Sequence, residues 1–393
     1  MQPLKGLTVV TLEHAIAAPF ATRQLADLGA RVIKIERPGV GDFARGYDQR
    51  VRGLASHFVW TNRSKESLTL DVKHPGAAEV LQRLVLEQAD VLVQNLAPGA
   101  AARLGLGYEA LSAQKPSLIV CDISGYGGDG PYRDKKAYDL LIQAEAGFVS
   151  VTGTPEEPCK AGASIADIAA GMYAYSNILA ALLERGRTGR GRHIDNSMLE
   201  ALTEWTSFPL YYAFDGAPPP PRTGASHATI HPYGPFPTGA DGGSVLFGLQ
   251  NEREWASFCQ TVLQQPALAQ DERFAGNAKR VALREELRAI IVEAFAPLTA
   301  PQVVQRLEAA QIANARVNTM QEVWAHPQLQ ARGRWREVGS SAGPLPALLP
   351  PGSWHEEPRM DPVPALGEHT DAILAELGLD AAAIASLREA KAI

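Results

Sequence analysis

In the stretch GASIADIAAG, residues 162 to 171, one carboxylate, Asp167, stands among Ala, Ile, Gly and Ser. Two kinds of chemistry suit its type and place. With Ser164 it forms Ser-x-x-Asp, the pattern of a capping box in which the acidic side chain reaches back to a backbone N–H. The helix that follows offers another reading. Ile165, Ile168, Met172 and Leu179 mark one apolar face, while the side bearing Asp167 continues through Gly171, Ala174, Ile178 and Ala181. A carboxylate held there, at the positive end of a helix dipole, is expected to stay ionised while losing much of its water, which suits a nucleophile. Capping and covalent catalysis both remain open on the residues alone.

Rival chemistries lack residues. The loop LEHAIAAPF after the first strand has no Gly-x-Gly-x-x-Gly, and no Gly-x-x-x-x-Gly-Lys phosphate loop occurs, which argues against hydride transfer and nucleotide hydrolysis. Of nine histidines only His227 and His231 share an i, i+4 spacing, in a Gly/Pro-rich region unsuited to a helix and hence to a zinc pair. No Gly-x-Ser-x-Gly elbow is present. GRTGRGRH, 186 to 193, reads as a Gly-rich turn leaving a helix.

The elements that must position Asp167 alternate two periods. GLTVVTL (6–12) reads as a buried strand, AAPFATRQLADLGA (17–30) as a helix and RVIKIE (31–36) as a second strand. The pattern repeats through a strand at 67–72, a helix at 75–89, a strand at 90–95, a short helix in PGAAARLG and a strand at 117–124. Parallel strands need crossovers, so an α/β, doubly wound large domain follows. From 137 to about 215 the signal is helical. GAPPPPRTG (216–224) is a stiff linker, and 225–333 carries a smaller α+β domain with strands flanking TGADGG. The large domain is thus assigned to 1–215, and 334–393 to a Pro-rich linker and a C-terminal return to it.

The 393 residues suffice for two cores, and a formal net charge of −6 argues against a nucleic-acid partner. Three scattered cysteines suggest neither disulfides nor a metal cage and fit a reducing cytoplasm. The N-terminal stretch lacks the pattern of a signal peptide, and no run of ~18 uncharged residues points to a membrane.

Several stretches together resemble family III coenzyme A transferases: PLKGLTVV, LADLGARVIKIERPGVGD, QNLAPGAAARLGLGYE, SGYGGDGPY with KKAYDLLIQAEAG, the ADIAAGMYA helix with ERGRTGRGRHID, and ALGEHTDAILAELG. The resemblance implies a Rossmann-like large domain made from both chain ends, an inserted smaller domain, and two subunits interlocked as a homodimer. It implies a coenzyme A thioester as substrate, with no permanently bound cofactor, and puts the catalytic aspartate on Asp167. By the same resemblance Arg37, Lys73, Asn95, Arg103 and Lys136 contact CoA; Arg and Lys supply the charge-assisted donors that phosphates need.

Departures bear on substrate. Formyl-CoA transferases carry Gln where this chain has Ile16, and a tetraglycine loop where it has SVLFGLQNEREW, which argues against formate or oxalate. The related 2-methylacyl-CoA racemases place His at the position of Tyr138, so α-proton exchange is disfavoured. The expectation is CoA transfer to a short dicarboxylic acid such as succinate, mesaconate, itaconate, citramalate or glutarate. The alternatives are a racemase or epimerase, or a non-catalytic CoA-binding protein. Tyr138, Ile16, Tyr47, His227 and His231, with Arg45, Arg50, Arg52 and Arg222, are candidates for the acid's pocket.

Overall fold

The computed structural model describes residues 2–352 and 357–393. Contacts divide it into two compact units, one of 1–148, 161–207 and 328–393, the other of 149–160 and 208–327. The sequence-derived boundaries fell at 215/216, 224/225 and 333/334, with 149–160 read as part of the first domain.

The first unit runs β1 (Thr8–Leu12), α1 (Ala17–Asp27), β2 (Arg31–Glu36), α2 (Ser56–Asn62), β3 (Glu66–Thr69), α3 (Pro75–Gln88), β4 (Val91–Gln94), α4 (Ala100–Arg103), α5 (Tyr108–Gln114), β5 (Ile119–Ser124) and α6 (Asp139–Glu145). A turn of helix, α7 (Phe148–Val151), leads out of it, and α8 (Ile165–Thr188), β6 (His193–Ser197) and α9 (Met198–Trp205) follow. The six strands lie in the order β3-β2-β1-β4-β5-β6, every pairing parallel. The doubly wound expectation is met. Because both faces are covered, consecutive strand residues feed opposite cores. Val9, Val91, Val93, Ile119 and Cys121 enter one with α1, α8 and α9; Val10, Leu92, Leu118 and Val120 enter the other with α3 and the C-terminal helices.

By length and composition α8 could cross a membrane, but it is here a core helix, burying Ala166, Ala169, Ala170, Gly171, Ala174, Ile178 and Ala181 against the sheet layer. Only this face is buried. Ile165, Ile168, Met172 and Leu179 are half-exposed, so the expectation of two buried sides fails. Small residues let α1 and α8 approach closely: a Cβ on Gly171 would lie 2.7 Å from the Ala17 carbonyl oxygen.

The C-terminal segment closes the sheet at β3. Ser67 N–H donates to His369 Nδ1 and Thr69 N–H to Thr370 Oγ1, so donors of an edge strand are satisfied by residues some 300 positions away. Part of the Pro-rich stretch read as linker is extended as a paired strand, Leu345–Leu348 lying antiparallel to Trp335–Val338. The part of that stretch at 353–356 lies outside the described residues.

In the second unit, β7 (Tyr233–Pro237) and β8 (Ser244–Gly248) flank the predicted turn, and β9 (Asn314–Ala315) completes an antiparallel sheet. Its core is aromatic, built on Phe236, Phe247, Trp255, Phe258 and Phe295. The stretch read as a linker is tied down within this unit. Arg222 donates to the carbonyls of Thr154 (2.9 Å), Ser150 (3.3 Å) and Pro155 (2.9 Å).

Candidate active site

Asp167 lies in the first turn of α8, and Ser164 occupies the N-cap position without making a side-chain cap bond. The capping box is therefore absent. Its work is done by Asp139, from the start of α6, whose Oδ1 accepts from the backbone N–H groups of Ala166 (2.8 Å) and Asp167 (3.2 Å). Asp139 Oδ2 accepts from Gln143 Nε2 at 2.6 Å, and Gln143 Oε1 accepts from Ala161 N–H at 2.9 Å. A cap supplied from elsewhere leaves the Asp167 side chain unengaged: its carboxyl accepts no hydrogen bond among the described residues. Sequence reasoning missed Asp139. The signal was an Asp–Gln pair at i, i+4 opening the helix α6, 28 residues before Asp167.

Burial, and after it the charge of Asp139, push the Asp167 carboxyl up to about 7. The group is thus half protonated near neutral pH, against the expectation that it stays ionised. Tyr47 belongs to the same neighbourhood. Burial, Asp42, Asp167 and Tyr138 together raise its hydroxyl to about 12. The structure so brings together Asp167, Tyr47 and Tyr138, with Tyr47 about half exposed and Tyr138 largely so.

A buried charge network fixes the loops around this site. Glu13 Oε1 accepts from Lys65 Nζ (2.6 Å) and Lys34 Nζ (3.3 Å), and Lys34 also donates to Asp42 (2.8 Å); the side chains of Glu13, Lys34 and Lys65 are wholly buried. Burial opposes the charge on Glu13, but Lys65 and Lys34 bring it down to about 2, while burial lowers Lys65 to about 7. Asp42 Oδ1 accepts from Ala15 N–H and Ala44 N–H, so one carboxylate ties the loop after β1 to the turn that leads to Tyr47. Ile16 is buried at the N-cap of α1 in that first loop. Arg45 is not free for substrate: it grips Glu36 (2.8 and 2.7 Å) and lies 3.7 Å over the Phe58 ring. Arg52 donates to Pro344 O, whereas the side chain of Arg50 is exposed and without an ion pair among the described residues.

Ligands of doubly wound sheets gather at the carboxyl ends of the strands, where the order reverses. That point here is β1/β4, and beside it, over the carboxyl ends of β1, β2 and β3, lies a cavity of about 710 Å³ walled by Leu12, Ile35, Leu70 and Leu96. Of the five CoA candidates, Arg37 and Lys73 line it. Two cations not anticipated from sequence, Arg388 and Lys391, line it as well, and Arg388 is paired with Asp371. Asn95 holds its rim: its Oδ1 accepts from His14 N–H and its Nδ2 donates to His14 O, so most of the amide is used internally. Arg103 is exposed, its guanidinium near the Cβ direction of Gly99, and Lys136 is exposed on the segment leading to Tyr138.

His227 and His231 belong to the second unit. The His227 ring stacks on Tyr233 at 5.2 Å. His231 is buried, and burial with Arg284, Arg288 and Arg280 lowers it to about 4, so it is a neutral ring and not a cationic partner for a carboxylate.

The chain and its fold are similar to those of known proteins. The sequence signature of CoA-transferase family III matches residues 4–370. The succinate–glutarate CoA-transferase of Agrobacterium fabrum is 37% identical over 387 residues, 95% of this chain and 96% of that protein. The succinyl-CoA:mesaconate CoA-transferase of Haloarcula marismortui is 32% identical over 396 residues, 97% and 98% of the two chains. A crystal structure of a CAIB/BAIF family protein from Brucella suis has a TM-score of 0.85 at 35% identity, covering 96% of this chain and 99% of that one. This chain belongs to CoA-transferase family III.

Proposed function

We propose that the protein moves CoA from an acyl-CoA thioester to a short dicarboxylic acid of the succinate, glutarate or mesaconate type, with Asp167 as nucleophile. The observation that carries the reading is the Asp167 carboxyl itself, part-desolvated, free of hydrogen bonds among the described residues and raised to about 7. A desolvated, basic carboxylate attacks better than a solvated one. An Asp167 oxygen bonds to the acyl carbon as the carbon–sulfur bond breaks, giving a mixed anhydride and CoA thiolate. The thiolate then attacks the Asp167 side-chain carbonyl, releasing the donor acid and leaving an aspartyl-CoA thioester. The acceptor carboxylate attacks that carbonyl in turn, expelling thiolate and forming a second anhydride. Thiolate attack on the acceptor acyl group gives the new acyl-CoA and restores Asp167. The cations of the cavity, Arg37 and Lys73 foremost, suit the nucleotide phosphates. Arg50, three residues from Tyr47, suits the acid's second carboxylate. The exposed aromatics Phe208, Tyr211 and Phe214 support a homodimer.

The test is a panel of free acids, oxalate and monocarboxylates included, incubated with succinyl-CoA and read by mass spectrometry. CoA is expected on one or more dicarboxylates, with exchange abolished in Asp167→Ala. Exchange retained by that variant rejects Asp167 as nucleophile. CoA moving to no acid rejects the substrate class.

A further inference from the structure

The N–H groups that open α8 all have partners. Ile165 N–H donates to Ala163 O at 2.9 Å and Ile168 N–H to Ser164 O at 3.0 Å, while those of Ala166 and Asp167 converge on Asp139 Oδ1. The two donors that a bare helix start would offer to a bound anion are thus taken by a carboxylate of the chain itself. That carboxylate is fixed in turn. Gln143, fully buried, donates to its other oxygen and is held by Ala161 N–H.

We propose that Asp139 is the positioning residue of the transfer reaction, clamping the backbone that carries Asp167 and setting a fixed negative charge beside the attacking carboxylate. The assignment rests on Asp167 being the nucleophile. Two negative groups side by side repel only while both are charged. When Asp167 bonds to the acyl carbon and the negative charge leaves with sulfur, the repulsion ends. Asp139 therefore destabilises the free carboxylate relative to the anhydride and the aspartyl thioester, and a difference between states is what accelerates a step. The raised Asp167 proton affinity, in which Asp139 is the cause next after burial, agrees. Among the described residues no cation acts on Asp167, whose one charged influence is Asp139. Tyr47, its hydroxyl raised to about 12, is a neutral neighbour. On α1, Arg23 and Asp27 bind each other at 2.6 Å and act on Tyr175, two turns farther along α8. On α9, Glu200 is held by Ser197, and on β6 Asp195 accepts from Gly128 N–H.

Asp139→Asn tests this, since it keeps an oxygen for the two N–H groups and removes the charge. The acidic limb of kcat/KM is expected to move down by about one pH unit and kcat above pH 8 to fall about ten-fold, with KM for succinyl-CoA little changed and the melting temperature lowered, because the new amide NH2 meets the Gln143 Nε2 donor. A limb and kcat that stay in place overturn the proposal. Should the variant not fold, aspartate-carboxyl 13C NMR of the unsubstituted protein decides, Asp167 being assigned by its loss in Asp167→Asn. An Asp167 signal that titrates near neutrality and also shifts with the titration of a second, neighbouring carboxyl supports the proposal, and one that titrates in a single step of its own overturns it. CoA transfer surviving in Asp167→Ala removes the nucleophile and this proposal together; an inactive Asp167→Ala beside an unmoved Asp139→Asn limb removes Asp139 alone.

Discussion

A carboxyl that keeps its proton to near pH 7 makes folding less favourable across the range in which an ordinary aspartate is already ionised. Asp167 is raised from 3.8 to about 7. Between those values the folded protein binds more protons than the unfolded chain, so stability falls as pH rises through the window and is unaffected below it. Asp167→Asn has no such charge to bury. It is expected to be more stable than the parent at pH 8, by on the order of 1–3 kcal/mol, with the difference vanishing below about pH 4. Denaturant titrations at the two pH values measure it, and equal midpoints at pH 8 contradict the buried-charge account. The type of residue and its helix were legible in GASIADIAAG, but its electrostatics were not. Sequence offers no distance between Asp139 and Asp167, which are 28 positions apart and meet only because α6 and α8 pack on the same face of the sheet.

At the scale of elements, the nucleophile's position depends on how closely α1 and α8 pack. Gly171 lies one turn beyond Asp167, and the atom a Cβ would strike is backbone, 2.7 Å away, which cannot rotate aside. Gly171→Ala gains helix propensity of roughly 1 kcal/mol but overpacks the contact, and a net loss of about 1–2 kcal/mol is expected with a fall in kcat as the first turn of α8 shifts. Unfolding midpoints and steady-state rates read both. The strand–helix alternation was legible because parallel strands buried on both faces read as continuous apolar runs. Lys34 was not, although a lysine inside RVIKIE is a signal in hindsight. A fully buried cation demands buried anions, and here it finds Glu13 and Asp42. What each carboxylate holds depends on loops that sequence periodicity does not place, and for that reason Arg45, Arg222 and Asn95 resemble ligand contacts in sequence yet are engaged by the protein itself.

For the whole molecule, the exposed aromatics around 208–214 give the proposed dimer its test. Sedimentation of the protein is expected to show a dimer, and Tyr211→Arg combined with Phe214→Arg to shift it toward monomer, since two charges would have to be desolvated in the contact. A species that sediments as a monomer at every concentration refutes the dimer. Both ends of the chain enter the first unit, and bonds that the sequence did not indicate secure the later one there: His369 and Thr370 meet Ser67 and Thr69, and Arg359 N–H donates to Asp27 O at 2.9 Å. These bonds set an order of events during synthesis. On the ribosome, β3 emerges early and has no cover for its outer edge until roughly 300 further residues have been made. The second unit, drawn almost entirely from the continuous run 208–327, is complete before that cover exists. Translation thus produces a finished smaller body tethered to a larger one whose edge stays open, and the last few dozen residues decide whether that edge is sealed or captured by another nascent chain.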